Sequence, residues 1–361
     1  MVAAVQIEDD VIWMRRAIRQ AVASLGATWP NPGVGCTIVR DGVVLGEGRH
    51  EQCGGPHAEP NALRACRDQG HDPRGATAYM TLAPCTRQGR TPACTTALIE
   101  AGMARVVAAL PDPNQDDAAQ ILAAAGIAYE TGCCADHARA VHGGFLQRVR
   151  QGRPRITAKW AMTIDGFLAA DTGHSQWISS PEALAYARRR RRVFDAIVVG
   201  AGTLRRDDPE LRSRSSGRTP VRVVIAGEQD LPDAARLWAS AEHDPVLVVT
   251  DGSVQPAVDG VETLTVPDRA DIVGICTALG SHGFNEVLVE GGAAIHASFL
   301  AADCYDRIEQ YVGGRTLAGG LPVAKGTGAE RIDLGLGWQL EAAPRSIGDT
   351  VYTRWCREAA A

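Results

Sequence analysis

No apolar run in the chain approaches the ~18 residues that a membrane-spanning helix requires. No stretch combines Lys, Arg and aromatic residues in the way that tracks a nucleic-acid backbone. The 37 Lys and Arg are outnumbered by 42 Asp and Glu, giving a net charge of −5. The one dense basic run, Arg188 to Arg192, reads mostly as a solvated helix face. Internal repeats and low-complexity tracts are absent. The first ten residues, MVAAVQIEDD, carry acids where a secretory leader needs a basic segment and then an apolar core. The ten cysteines have no regular spacing, which fits a disulfide framework poorly. The expectation is a cytoplasmic protein with mostly buried thiols and a metal site, and with neither a membrane nor a nucleic acid as partner.

What is present is ordinary globular composition, 45% hydrophobic, over 361 residues, about twice a usual domain. Two α/β domains are expected, residues 1–148 and 149–361, with the boundary in the polar segment RVRQGRPR from Arg148 to Arg155. In the first, Val11, Ile12, Met14, Ala17, Ile18, Ala21 and Val22 recur at helical spacing after Asp9 and Asp10, and Gly26 ends the helix. Gly35 to Gly48 predicts two strands turning at Asp41-Gly42. A helix from His57 to Arg67, a strand from Ala78 to Leu82, a helix from Cys94 to Ala101 and a strand from Val106 to Leu110 follow. Beyond the boundary, strands are expected at Ile156 to Met162, Ala196 to Val199, Val221 to Ile225, Val246 to Thr250 and Glu286 to Val289. Trp338 to Ala342 and Thr350 to Trp355 predict an antiparallel hairpin on the sheet edge.

The residues richest in chemistry are His57-Ala58-Glu59, Pro84-Cys85 and Cys94. One imidazole and two thiolates suit zinc with a fourth position left for water, and a nearby carboxylate that is not a ligand can shuttle the proton. His-x-Glu followed by Pro-Cys and a second Cys is the pattern of zinc nucleobase deaminases. The usual short form is Cys-x-x-Cys, whereas eight residues, TRQGRTPA, separate these two cysteines. Gly89 and Pro92 make that insert a turn able to bring the sulfurs together. Two unrelated core cysteines and a helix-capping His remain the plainer alternative, and a closed structural zinc would draw its fourth ligand from His50 or Cys53.

Three clusters stand out in the second half: Lys159 to Gly166 with Ser175 to Ile178, Gly200-Ala201-Gly202-Thr203 with Asp207-Asp208-Pro209, and Val289-Glu290-Gly291-Gly292. Glycines between a strand and a helix let backbone N–H groups approach phosphate oxygens. Gly200-x-Gly202 by itself is equally a turn after a buried strand, since it lacks the third Gly of the dinucleotide fingerprint.

Further stretches give the pattern a family. Pro30 to Gly35, Gly46 to His50, Gly54 to Glu59, Pro84-Cys85 through Gly89-Arg90-Thr91-Pro92-Ala93-Cys94, and Asp112-Pro113-Asn114 resemble the deaminase domain of the bifunctional riboflavin-biosynthesis deaminase/reductases, whose long cysteine spacing this chain shares. The three later clusters appear in the order of the family's reductase domain, so the resemblance runs over roughly 10–355. It implies a cytidine-deaminase-like α/β/α domain followed by a dihydrofolate-reductase-like α/β domain. The implied reactions are hydrolytic deamination of a diaminopyrimidine ribosylamino phosphate and NADPH reduction of its ribosyl group to ribityl. Zinc would be held by His57, Cys85 and Cys94 with Glu59 as proton shuttle, and Asn31, His50, Arg90 and Asn114 would meet the deaminase substrate. In the reductase half, Lys159, Ser175, Trp177, Arg191, Asp207, Arg214 and Glu290 would meet the substrate, and Thr163, Asp165, Gly200, Thr203, Gly291 and Gly292 the NADPH. A small-molecule substrate and a homo-oligomer are the implied partners.

The chain departs from the family pattern at several places. Ala83 stands where Glu is usual, Arg87 where His is usual, and Asp-Pro-Asn is followed by Gln115-Asp116-Asp117 in an apparently shortened loop. Phe167 replaces Lys or Arg, and Ala226 replaces Asp. These changes leave open a paralogue in a related pathway such as azapteridine biosynthesis, or a chain with one inactive domain. A nucleic-acid deaminase with an appended module is the reading from another class, and the acidic balance speaks against it.

Overall fold

The computed structural model describes residues 2–89, 92–115, 117–213, 218–254, 256, 258, 260–326 and 328–357. Two compact units divide the chain, Met1–Gln151 and Gly152–Ala361. The helix that closes the first unit runs to Gln151, taking in the first four residues of the stretch that reads as linker.

The first unit comprises α1 (Val2–Ala23), β1 (Gly35–Arg40), β2 (Val43–Arg49), α2 (Ala58–Asp68), β3 (Thr77–Met80), α3 (Cys94–Glu100), β4 (Arg105–Ala108), α4 (Ala118–Ala124), β5 (Ala128–Thr131) and α5 (Ala135–Gln151). Its sheet runs β2-β1-β3-β4-β5. The pairs β1–β2 and β1–β3 are antiparallel, and β3–β4 and β4–β5 parallel. Alternate residues of each strand point to opposite faces. Cys36, Ile38, Ala78, Met80, Val106 and Ala108 therefore pack with α2, α3 and α4, while Val39, Tyr79 and Val107 pack with α1 and α5.

The paired acids that read as a helix start lie inside α1, which begins at Val2. Asp10 is turned inward, where Arg105 grips both of its oxygens at 2.8 and 2.7 Å and the Tyr79 hydroxyl donates to it at 2.7 Å. Burial would raise this carboxyl, and the Arg105 and Tyr79 hydrogen bonds outweigh it and hold it below the usual range. An acid satisfied by tertiary partners is indistinguishable, in sequence, from one at an N-terminus.

The second unit comprises β6 (Arg155–Thr163), β7 (Phe167–Ala169), α6 (Pro181–Arg190), β8 (Ala196–Gly200), α7 (Ala201–Asp207), β9 (Val221–Ile225), β10 (Val246–Thr250), β11 (Glu262–Thr265), α8 (Ile272–Ser281), β12 (Glu286–Val289), α9 (Ala293–Ala301), β13 (Arg307–Gly313), β14 (Leu321–Pro322), β15 (Trp338–Leu340), β16 (Arg345–Ile347) and β17 (Thr350–Arg357). The main sheet runs β11-β10-β9-β8-β12-β6-β13-β17-β15, with β16 beside β17. It is parallel from β11 to β13. β15 and β17 pair antiparallel at the sheet edge as expected, but the hairpin turn joins β17 to β16, a short strand outside the expected set. Strands β8, β9 and β10 are buried throughout, as parallel strands covered on both faces must be.

Charged side chains are also buried within the strands. Arg222 sits fully enclosed in β9, donating to Leu237 O at 3.1 Å, to Ser240 Oγ at 2.7 Å and to Asp244 O. Strand β13 was not among the expected strands because it mixes Arg307, Glu309 and Gln310 with its apolar residues. The buried Glu309 is paired with Arg190.

Helix α2 lies against β2 at its glycines. A Cβ on Gly46 would stand 2.5 Å from Ala62 O and 2.7 Å from Cys66 N, and one on Gly48 would overlap Ala58 O and Ala62 N. Gly48→Ala is therefore expected to destabilise the first unit by about 1–3 kcal/mol through overpacking. Urea unfolding measures this, and an unchanged midpoint would show that α2 shifts freely.

Candidate active sites

The first site is assembled where three elements meet beyond the end of β3, the central strand of the first sheet. His57 is the N-cap residue of α2, Cys85 follows β3, and Cys94 opens α3. The His57 Nδ1 atom lies 3.5 Å from Cys85 Sγ and 3.3 Å from Cys94 Sγ, and the three donor atoms lie within 4.8 Å of one another. A tetrahedral zinc with ordinary Zn–S and Zn–N bonds needs an N···S edge of about 3.5 Å, so these residues fit the ion. The local fold supports the geometry. Cys94 N–H donates to Cys85 Sγ at 3.2 Å, and Thr95 N–H to Cys85 O at 3.2 Å, so the first turn of α3 holds the Cys85 loop. The Cys94 contact and the His57 ring draw the Cys85 thiol down, making it the readier thiolate of the pair.

Glu59, in the first turn of α2, is 3% exposed beside this cluster. Burial pushes its carboxyl up, and the carboxyl also contacts Cys94. His50 is buried with its ring at 78° to that of His57 and 5.2 Å away. Its Nδ1 faces Pro56 O at 3.0 Å and its Nε2 faces Asn31 Nδ2 at 3.4 Å. Burial lowers its pKa, favouring the neutral ring in which Nδ1–H donates and Nε2 accepts. Among the described residues no fourth ligand joins the cluster: His50 is engaged with Pro56, and Cys53 is exposed. Asn114 is exposed in the loop after β4, its N–H donating to Asp112 Oδ1 at 2.9 Å. Arg90 lies outside the described residues. Of the departures, Ala83 is buried beside Cys85, and Arg87 is exposed.

The second site is a cleft of about 640 Å³ at the C-terminal ends of the parallel strands. It brings together Lys159, Ser175, Trp177, Arg191, Gly200, Thr203, Asp207, Glu290, Gly291 and Gly292. Arg191 clasps Glu290 with two hydrogen bonds of 2.8 Å. Burial would raise the Glu290 carboxyl, but Arg191, with Lys159 behind it, brings it to about 2. Lys159 lies with Nζ 5.6 Å from the Tyr311 ring centroid, its pKa lowered by burial. Gly292 N–H donates to Thr203 Oγ1 at 3.1 Å, joining the two glycine turns. Gly200 and Gly291 both face Ile295, which a Cβ on either would meet at 2.6 Å.

Thr163 and Asp165 do not line the cleft. Thr163 Oγ1 donates to Asp165 Oδ1 at 2.6 Å, and Asp165 Oδ2 accepts from the N–H groups of Leu317 and Ala318 at 2.9 and 2.7 Å, bracing the β6–β7 turn. Arg214 lies outside the described residues. Phe167 N–H donates to Thr163 Oγ1 at 3.0 Å, and Ala226 packs into the apolar core.

Two family models match the chain: the cytidine and deoxycytidylate deaminase zinc-binding region over residues 7–110 and the RibD C-terminal domain over residues 154–350. The chain is 37% identical over 325 residues to the riboflavin biosynthesis protein RibD of Aquifex aeolicus, covering 88% of this chain and 90% of that protein. It is 36% identical over 329 residues to RibD of Escherichia coli, covering 86% and 89%. Among solved structures it matches the diaminohydroxyphosphoribosylaminopyrimidine deaminase/5-amino-6-(5-phosphoribosylamino)uracil reductase of Thermotoga maritima with a TM-score of 0.89 at 29% identity, over 98% of this chain and 99% of that one. RibD of Acinetobacter baumannii matches with a TM-score of 0.88 at 31% identity, over 98% and 100%.

A residue outside the expected set ties the loops of the first site together. Gln115 Oε1 accepts from Thr86 N–H at 2.6 Å and Arg87 N–H at 3.2 Å, while its Nε2 donates to Asp112 Oδ2 at 3.2 Å. Thr86 is the neighbour of Cys85, and Asp112 carries the loop of Asn114. The departure at Gln115 was visible in the sequence; its partners Arg87 and Thr86, 28 and 29 residues away, were not. Gln115→Ala is expected to speed zinc loss to a chelator by about tenfold, the usual scale for residues that orient a metal ligand. Zinc release monitored with a chromogenic chelator checks this, and a wild-type rate would show that the α3 contacts suffice.

Proposed function

Since the chain belongs to the RibD family, the bifunctional deaminase/reductases of riboflavin biosynthesis, we propose that its two units divide the two reactions with the residues placed above in the following roles. The observation that carries the first assignment is the three-donor cluster with a sealed carboxyl beside it. His57, Cys85 and Cys94 hold the zinc, whose Lewis acidity brings the pKa of water to roughly 7. Glu59 takes the proton of the attacking water and returns it to the departing amino group; its burial suits a carboxyl that must hold a proton between those steps. Asn31, oriented by His50, reads the pyrimidine edge with its side-chain amide. Asn114 and Arg90 complete the contacts to that substrate.

In the second unit NADPH supplies hydride to the ribosyl group. Gly200, Thr203, Gly291 and Gly292 give its phosphates and nicotinamide a backbone-lined wall, with Thr163 and Asp165 bracing the turn behind. Lys159 and Glu290 meet the sugar, with Ser175, Trp177 and Asp207 nearer the rest of the substrate; Arg214 keeps the substrate role that the resemblance gives it. Arg191 positions Glu290. The riboflavin names of the relatives favour this pathway over a related one.

We also read the protein as cytoplasmic and homo-oligomeric. All ten cysteines are free, including the exposed Cys53, which suits a reducing compartment. No helix among the described residues is long and apolar enough to cross a membrane. Ile332 at 99% exposure and Leu334 at 64% lie just before the edge strand β15, which exposes Leu340, and such apolar clustering marks a contact surface.

Two outcomes are expected. Glu59→Gln retains zinc by metal analysis while ammonia release falls about 100- to 10,000-fold, the range of general acid–base catalysis; undiminished release would remove Glu59 from its role. Ile332→Glu with Leu334→Glu lowers the mass measured by light scattering to that of one chain, and an unchanged mass would place the contact elsewhere.

A further inference from the structure

Two of the ten cysteines, Cys133 and Cys134, are adjacent in sequence between β5 and α5, and neither reaction assigned above uses them. Gly132 O accepts from Ala135 N–H at 3.2 Å, closing a turn whose two central residues are these cysteines. Cys134 has a φ of +55°, the left-handed conformation that a turn usually gives to Gly or Asn at this place. The turn decides where the side chains go. In extended backbone, neighbouring side chains point to opposite faces, which would hold two adjacent thiols apart. Here both side chains pack against the one apolar cluster between the sheet, α1 and α5, and the two thiols hydrogen-bond each other.

The pair is also open to solvent. Both cysteines are half-buried, flanked by the exposed Thr131, Gly132, Asp136 and His137. Two other thiol pairs differ in kind: Cys85 and Cys94 are the zinc donors, and Cys276 and Cys304, which also touch, are both buried.

The number and direction of the donors select what the pair can hold. Among the described residues no third His, Cys, Asp or Glu joins it into a metal cluster, whereas zinc asks for three or four protein ligands. A linear two-coordinate cation needs its sulfurs on opposite sides, and touching sulfurs cannot take it. Any cation must also expel the thiol protons. Burial and the neighbouring thiol push Cys133 up to about 12, a penalty of about five decades in affinity at neutral pH. A monosubstituted trivalent arsenical meets every one of these conditions. It is soft, as thiols require; carbon already fills its third valence; its pyramidal arsenic takes two sulfurs from one side; and the thiol protons leave inside water.

We propose that Cys133 and Cys134 form a chelating site for monosubstituted trivalent arsenicals, R–As(OH)2. Two As–O bonds break and two As–S bonds form. Each hydroxide leaves with one thiol proton as water, and arsenic stays trivalent throughout. The ring that results contains the Cys133–Cys134 peptide, so a turn that already faces both sulfurs one way reduces the ordering that closure demands. The site lies in the first unit, close to the Asp10–Arg105 clasp, whose charges act on Cys133.

The test uses the full-length zinc-loaded protein and phenylarsine oxide, which hydrates to phenylarsonous acid. Intact-mass spectrometry is expected to show one arsenical per chain, peptide mapping to show Cys133 and Cys134 protected from alkylation, and a chromogenic chelator to show zinc retained. Ethanedithiol is expected to strip the arsenical and glutathione to leave it in place. Cys134→Gly removes one thiol with a residue suited to the positive φ, so the variant keeps its fold and its zinc. Its affinity is expected to fall about 100- to 10,000-fold, the worth of a second tethered contact, and Cys133→Ala to behave alike. No arsenical on the wild type, wild-type affinity in Cys134→Gly, or release by glutathione each overturns the site. Uptake matched by zinc release overturns it too, because the arsenical would then be held by Cys85 and Cys94.

Discussion

Where β2 meets α2 there is room for a hydrogen atom on the backbone and for nothing larger, and the first site depends on that closeness. Gly46 and Gly48 let the helix backbone rest directly on the hairpin, and the helix start then places His57 and Glu59 beside the loop after β3 and the opening of α3. A zinc site tolerates little error in ligand position, and backbone-on-backbone packing is stiffer than packing through side-chain tips, which can change rotamer. The second unit uses the same device: Gly200 and Gly291 bring two strand ends against Ile295 of α9, so that Thr203 and Gly292 come within hydrogen-bond reach.

The second organising constraint is the treatment of buried charge. Arg105 with Asp10, Arg190 with Glu309, and Arg155 with Glu286 are largely enclosed ion pairs, and Arg222 is surrounded by carbonyl and hydroxyl oxygens. Removing one partner from such a pair leaves an uncompensated charge and costs far more than the pair contributes. Arg105–Asp10 ties α1 to β4 and Arg190–Glu309 ties α6 to β13, while Arg155–Glu286 joins the neighbouring strands β6 and β12, so these pairs help to fix which segments lie together.

That explains which features the sequence made legible. The hairpin at Asp41-Gly42, the strands Val221–Ile225, Val246–Thr250 and Glu286–Val289, and the edge pairing of β15 with β17 follow from local periodicity and turn chemistry, and each forms as expected. The zinc donors were legible because the chemistry demands those residue types in that order. Features settled by long-range partners were not. Asp10 reads as a helix start until Arg105 is seen on it, and β13 is hidden by Glu309 until Arg190 is beside it. Thr163 and Asp165 belong to a motif whose sequence points at the cleft, while their side chains are occupied by the turn they close. For the arginine run, spacing alone could not separate the five side chains; their partners do.

The cationic side chains lining the second cleft, Arg188 and Arg206 among them, bear on how fast a ligand arrives as well as on how tightly it stays. The chain as a whole is negative, so a phosphorylated molecule approaching at random meets a weakly repelling surface. The concavity holding Arg188 and Arg206 is an attractive window in that surface, and low-dielectric walls concentrate its field outward along the opening. Encounter with anionic metabolites is therefore gated by direction: capture is efficient along one narrow solid angle and discouraged elsewhere. Because this attraction acts through solvent, it shortens to about 8 Å at physiological ionic strength, so the cleft recruits from its own doorstep and not from the bulk.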